Sequence, residues 1–263
     1  SDNAMHRSTC QELADYIIPW KSNIDGSKPK GSKQTEKIFD STAPHSNWML
    51  ASSMDSSLTP ANGKWFYIMT RHEQLNENEE AKNWFETCSN RMSQAVHQSN
   101  FNSESHELYL DEGAFGMSAV LCKEKPVEKQ GFNGLYLKTF SAGEYVVSEN
   151  FIGEVNTLFR KYELSANAAQ KEWGKKVGER VSKAAESTKD KDKMFPFLLC
   201  IIPRDDWDGS KKKPHPWLTL HINYEEKTLI RMEGDWEFPV MVPRWSKTSG
   251  EETGRGPGHM ALP

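Results

Sequence analysis

Apolar residues recur at helical spacing through the first half of the chain. Trp84, Cys88 and Met92 follow one another every four residues, as on one face of an amphipathic helix over residues 78–99. The same spacing predicts helices over residues 9–18, from Asp40 or Ser41 to about residue 58, and over residues 103–111. A short aromatic run at residues 64–69 has the composition of a strand.

From Gly134 onwards the pattern changes to that of strands. Gly143 and Gly153 separate short apolar runs at hairpin spacing, and Ser165 can cap a helical stretch that ends near residue 187. The predicted strands are residues 135–140, 144–149, 155–163, 195–203, 217–225 and 228–232. Helices followed by strands, with one helical insertion, predict an α+β fold whose β region is mainly antiparallel.

These patterns divide the chain into four segments. Residues 1–8 are polar and are expected to be a tag or a disordered N-terminus, residues 9–133 form a helical part, and residues 134–243 form a β-rich part. Residues 244–263 are dominated by glycine and proline. Their "GRGPG" lacks the Lys-Ser/Thr pair of a phosphate-binding loop, so we expect its glycines to permit positive φ angles or close backbone approach.

Composition narrows the classes of function. The chain has 263 residues, a formal net charge of -4 and 36% hydrophobic residues, which indicates a soluble globular protein. The slight acidity argues against a general nucleic-acid binder. Four cysteines without a C-x-x-C pair predict reduced thiols in a cytosolic setting rather than zinc or disulfides. No apolar run is long enough to predict a membrane span.

The candidate catalytic groups are sparse. His215 and His221 flank the string "PWLTL", and six residues of strand would separate them by about 20 Å, too far to share one ion. Neither a G-x-S-x-G nucleophile elbow nor a phosphate-loop signature is present. A cytosolic metal-dependent hydrolase, with a metal ion near His221 and Glu225, remains an alternative function.

A lysine run supplies a second alternative. Lys211, Lys212 and Lys213 stand in a loop between predicted strands, where a run of charges is usually a solvated turn. With Arg204 and Arg231, the same lysines could form a nucleic-acid-binding module.

Large apolar residues in the helical patterns are expected to be core anchors or subunit-interface anchors. The candidates are Trp84, Phe85, Met92 and Trp173.

An ordered set of short strings gives a more specific signal. In chain order the strings are "CQELADYIIP", "IFDSTAPHSNWMLASSMDSSLTPANGKWF", "HELYLDEGAFGMSAVL", "GEYVVSENFIGEVNTLFRKYELSANAAQKEWG", "FPVMVPRW" and "GEETGRGPGHMALP". Together they resemble the head-to-tail connecting, or portal, proteins of podoviruses and their prophage relatives. The resemblance extends over nearly the whole chain.

The resemblance implies a structural subunit with a portal-wing-like fold, without enzymatic activity or a cofactor. It implies a ring homo-oligomer, a dodecamer in the mature particle, at one capsid vertex of the virion. Double-stranded DNA is packaged and ejected through such a ring, which docks terminase and tail and assembles with capsid or scaffold proteins in the bacterial cytoplasm.

The resemblance also bears on the end of the chain. The channel-lining stem helix is expected beyond residue 263, so Arg244 and Arg255 become candidate residues near the DNA channel. In the alternative interpretation both arginines pair with Glu237, Glu251 or Glu252 and hold the loop in place.

Overall fold

The computed structural model describes residues 2–24, 38–126, 131–208, 214–248 and 250–262. Single 3₁₀ turns lie at Pro19–Lys21 and at Gly174–Val177. The helices are α1 (Asp2–Ile17), α2 (Thr42–Leu58), α3 (Glu73–Glu77), α4 (Glu79–His97), α5 (Phe101–Phe115), α6 (Ala166–Trp173), α7 (Glu179–Glu186), α8 (Arg204–Asp208) and α9 (Pro257–Ala261).

The strands are β1 (Ala119–Glu124), β2 (Leu135–Phe140), β3 (Tyr145–Glu149), β4 (Val155–Ser165), β5 (Met194–Pro203), β6 (Trp217–Asn223), β7 (Thr228–Asp235) and β8 (Val240–Met241). They form two antiparallel sheets, one in the order β2-β1-β8 and the other in the order β3-β4-β5-β6-β7. Helices precede strands and α6 and α7 interrupt the strands, so the predicted α+β class is confirmed.

The chain forms two compact units. The helical unit comprises Ala4–Ala142 together with Val240–Pro263, and the sheet unit is built on Gly143–Pro239. The expected boundary after residue 133 therefore differs from the observed division. The reason is that β2 pairs with β1 in the helical unit, with Ala119 opposite Phe140.

The core of the helical unit lies between α1, α2 and α5. Leu13, Ala51 and Phe115 are among its fully buried members. Helices α2 and α5 come close at Gly113, where a Cβ atom would collide with the side-chain oxygen of Asn47. The side-chain amide of Asn47 donates to the backbone oxygen of Leu110 over 3.1 Å, which satisfies a buried polar group at this crossing.

The sheet unit buries apolar residues on both faces of β5. Phe195 and Phe197 point to the face covered by α6 and α7, and Cys200 and Ile202 belong to the cluster on the other face. This follows from the two-residue period of a strand. Because both faces of β5 are buried, its sequence is continuously apolar instead of alternating between apolar and polar residues.

Two segments differ from the expectation. Helix α1 begins at Asp2, so residues 2–8 are helical where we expected a tag or disorder. Residues 64–69 do not form a strand, because they lie along helices instead of beside another strand. The backbone N–H of Ile68 donates to Ser89 Oγ of α4 over 2.9 Å, and Trp65 stacks on Phe101 of α5 at 5.5 Å between ring centroids.

Candidate interaction surfaces

The apolar stripe of α4 lies at the surface of the chain. Trp84 is 62% exposed and Met92 is 51% exposed, while Phe85 is partly buried. A core role for Trp84 and Met92 is therefore wrong within this chain. The side chains that α4 buries are Ser89 and Ser93.

The buried serines explain how a polar face can turn inward. Ser89 Oγ donates to the backbone oxygen of Phe85 over 2.8 Å and accepts the N–H of Ile68, so its hydroxyl is satisfied by local partners. The segment that supplies Ile68 also exposes Tyr67 and Met69, which are 68% and 72% accessible. We call the exposed residues Tyr67, Met69, Trp84 and Met92 the α4 surface. Exposed large apolar residues in such numbers indicate an interaction site.

Trp173, in contrast, packs within the chain. It ends α6 and packs against Phe197 and His221, with ring centroids 5.2 and 5.5 Å apart, beside the core of the sheet unit. This packing of a partly buried side chain favours a core anchor over a subunit-interface anchor as the role of Trp173.

The tip of the β3–β4 hairpin carries exposed apolar residues that the sequence analysis did not predict. Phe151 is fully exposed and Ile152 is 71% exposed. Asn150 Oδ1 accepts the backbone N–H groups of Ile152 and Glu154 over 3.1 and 3.0 Å, and Gly153 adopts a φ of 81°. The string "NFIG" carries the signal, since two large apolar residues are rare in a tight turn.

The glycine-rich segment folds back onto the helical unit. The backbone N–H of Trp245 donates to the oxygen of Gly116 over 2.9 Å, next to an antiparallel bridge between Met117 and Arg244. A Cβ atom on Gly256 would lie 2.7 Å from Gly116 Cα, and one on Gly258 would collide with the backbone oxygen of Ala114. The expected close backbone approach is therefore confirmed.

The two candidate arginines of this segment have protein partners. Arg255 forms a bidentate ion pair with Glu251, with Nε–Oε2 at 3.0 Å and Nη2–Oε1 at 2.6 Å. The guanidinium of Arg255 accordingly holds the pKa of Glu251 below its usual value. Arg244 Nη1 donates to the backbone oxygen of Glu252 over 3.2 Å.

A buried ion pair joins α5 to the turn after α1. Lys21 Nζ lies 2.7 Å from Asp111 Oδ1 and 2.9 Å from Glu107 Oε1. Burial raises the pKa of Asp111 to about 6 even though Lys21 acts in the opposite direction. Burial, reinforced by Asp111, raises the pKa of the Cys10 thiol to about 12, so this cysteine is an unreactive core residue.

The histidines considered as metal ligands are held by aromatic neighbours. His221 Nδ1 lies 3.4 Å from the Tyr162 hydroxyl, and His215 packs against Trp236 at 4.7 Å between ring centroids. Glu225, proposed alongside His221, forms an ion pair with Arg180 at 2.7 Å. Within the described ranges, no group of three or more His, Cys, Asp or Glu residues is placed to hold a metal ion.

Of the basic candidates, the structure describes Arg204 and Arg231. Lys211, Lys212 and Lys213 lie outside the described residues. Arg204 Nε donates to the backbone oxygen of His215 over 2.6 Å, and Arg231 forms ion pairs with acidic neighbours in the sheet unit. Among the described helices, none is long and apolar enough to cross a membrane.

An α+β chain that leaves a helix face and a hairpin tip apolar and open to solvent has the surface of a subunit of a larger assembly. The chain belongs to the bacteriophage head to tail connecting protein family, whose sequence model matches residues 1–263.

Two curated relatives agree with this membership. The chain is 26% identical over 261 residues to the probable portal protein of Bordetella phage BPP-1, covering 96% of this chain and 45% of that protein. It is 24% identical over 258 residues to the portal protein of Salmonella phage epsilon15, covering 95% of this chain and 45% of the relative. The chain thus spans less than half the length of these relatives.

Proposed function

We propose that this chain is the wing of a portal subunit. Copies of this subunit form the ring at one capsid vertex through which phage DNA is packaged and ejected. The observation that carries the proposal is the family match over the whole chain, together with two relatives named as portal proteins. The helical unit and the sheet unit, divided after Ala142 rather than after residue 133, make up the two parts of the wing. Residues 244–263 lead towards the stem helix of the complete subunit.

The exposed apolar residues support a ring of identical subunits. A closed ring uses a heterologous contact, in which one patch on a subunit meets a different patch on its neighbour. The α4 surface is one such patch, with Trp84 and Met92 as its anchors. Burial against a neighbour would remove from water the apolar area that this chain leaves exposed.

The role is structural rather than enzymatic. Terminase supplies the energy for packaging, and the ring offers docking sites to terminase, the tail, and capsid or scaffold proteins. The ring contains twelve copies, is assembled in the host cytoplasm and remains in the virion without a cofactor.

Charge compensation at the end of the chain suits passage of DNA. Arg244 and Arg255 are the residues we place nearest the channel. The carboxylate of Glu251 balances the guanidinium of Arg255, so a passing phosphate meets an ion pair with no net charge. The net charge of -4 for the chain also suits passage of DNA, because a strongly basic surface would neutralise the phosphates and hold the DNA in place.

Negative-stain electron microscopy of the complete protein tests the proposal. We expect annular particles with a central channel wide enough for duplex DNA. Particles of subunit size at every concentration and salt condition would contradict ring formation.

A further inference from the structure

Helix α3 and the start of α4 carry a concentration of carboxylates. Residues 73–86 contain five glutamates and a single basic residue, Lys82. The macrodipole of α4 accounts for Glu79 and Glu80 in its first turn, but not for Glu77 or Glu86. The five glutamates are exposed, and no ion pair joins them to another described residue: Glu73, Glu77, Glu79, Glu80 and Glu86.

The carboxylates border the apolar anchor of α4. Glu80 lies one helical turn before Trp84, at the spacing that brings two side chains together on a helix surface. An exposed tryptophan with charged neighbours has the composition of an interface centre with its rim. We call α3 together with residues 79–86 the acidic surface.

The helical insertion of the sheet unit has the opposite charge. Residues 171–193 contain eight lysines and arginines against five acidic residues. Lys175, Lys176 and Lys183 line an open depression of about 500 Å³ together with three glutamates, Glu179, Glu186 and Glu226. Six exposed lysines of this segment have no ion-pair partner among the described residues: Lys171, Lys175, Lys176, Lys189, Lys191 and Lys193.

Two of the acidic groups beside these lysines are already engaged. The Glu226 carboxylate accepts hydrogen bonds from the backbone N–H groups of Glu179 and Arg180 over 3.2 and 3.0 Å, so it caps the N-terminus of α7. Glu179 itself is 3.5 Å from Lys183. Lys175 and Lys176 therefore remain available to an acidic partner.

We propose that the acidic surface of one copy binds the lysine-rich insertion, residues 171–193, of the next copy around the ring. The inference rests on the ring formation proposed above and names the two patches that meet. They differ from each other, as a heterologous contact requires, and their charges are opposite, which favours association in a single orientation. Trp84 and Met92 supply the apolar part of the contact.

Two charge-reversed variants of the complete protein test the pairing. One carries Glu77→Lys and Glu80→Lys, and the other carries Lys175→Glu and Lys176→Glu. Each variant alone removes the charge complementarity of the contact, because the first brings the charge of residues 73–86 from -4 to zero and the second brings that of residues 171–193 from +3 to -1. The ring fraction in size-exclusion chromatography should therefore fall by about tenfold or more. Lys138→Glu, on the exposed side of β2, is the control and should leave the ring fraction unchanged.

Mixing the two variants gives the decisive result. In the mixture the substituted residues of one variant face the oppositely charged substituted residues of the other, and the unsubstituted surfaces also meet, so rings should return, with the two variants alternating around the ring. A protein with all four substitutions should also form rings. Association should weaken in high salt, because exposed charges are screened.

The outcomes separate this inference from the proposed function. Absence of rings in the unmodified protein would count against the proposed function itself. Rings that persist in both reversed variants, or that fail to return on mixing, would overturn the pairing and leave ring formation intact. Loss of duplex-DNA binding with unchanged rings in the Lys175→Glu, Lys176→Glu variant would also overturn it, by making these lysines a nucleic-acid contact.

Discussion

Asp111 lies on α5 with 2% of its side chain exposed, and its ion-pair partner among the described residues is Lys21. Burial raises its pKa from 3.8 to about 6, so the folded protein holds this proton more tightly than the unfolded chain. The contribution of Asp111 to the free energy of unfolding therefore falls as the pH rises from about 4 to about 6.

Asp111→Asn should remove this pH dependence. Between about pH 4 and pH 7 the unmodified protein should lose about 2–3 kcal/mol relative to the variant, because one pKa unit corresponds to about 1.4 kcal/mol. Urea unfolding of both proteins at the two pH values measures the difference. Free energies that change in parallel would show that Asp111 titrates normally.

Gly258 tests the close approach of the glycine-rich segment. A Cβ atom there would lie 2.9 Å from Ile17 Cδ1 and still closer to the backbone oxygen of Ala114. We expect Gly258→Ala to lower the free energy of unfolding by about 1–3 kcal/mol, as overpacking does. Gly63→Ala is the matched control, because its Cβ would meet only Pro60 Cγ at 3.7 Å. Equal urea midpoints for the two variants would contradict the close contact.

Some residue-level features could be predicted from the sequence and others could not. The spacing of Glu251 and Arg255 is that of a local ion pair, which made their pairing one of the open alternatives. The link between Lys21 and Asp111 spans 90 residues of chain, and no local pattern marks it. The exposure of Phe151 depends on the hairpin turn, whose tip the apolar pattern alone does not identify.

At the scale of elements, α4 and α6 offer matched tryptophans. Trp84 is exposed on α4, whereas Trp173 packs on the core of the sheet unit. Trp84→Ala should change the free energy of unfolding of the unassembled chain by less than about 0.5 kcal/mol. Trp173→Ala should lower it by about 2–4 kcal/mol. Thermal melts monitored by circular dichroism check both, and a large loss for Trp84→Ala would show that α4 is packed within the chain.

Periodicity predicted the elements better than it predicted their partners. The bounds of β2 were predicted as observed, and α4 was predicted within two residues at each end. The amphipathic pattern of α4 shows that one face avoids water, but not whether the same chain or another copy covers it. Residues 64–69 failed as a strand for a related reason, since a strand needs a neighbour and these residues meet helices.

At the scale of the whole molecule, the division into two units follows from long-range pairing. The last segment returns to the first, with β8 pairing with β1 and α9 beside α5, and no composition shift along the chain predicts that return. The family was recognised from the order of several strings rather than from any catalytic motif. A structural protein offers few such motifs, because its function lies in broad surfaces.

The mass of the assembled complete protein tests the central claim most directly. Native mass spectrometry should show one closed species whose mass is an integral multiple of the subunit mass, with twelve copies expected. A monomer at all concentrations, or an open series of masses without a preferred size, would contradict a chain built to close a ring with copies of itself.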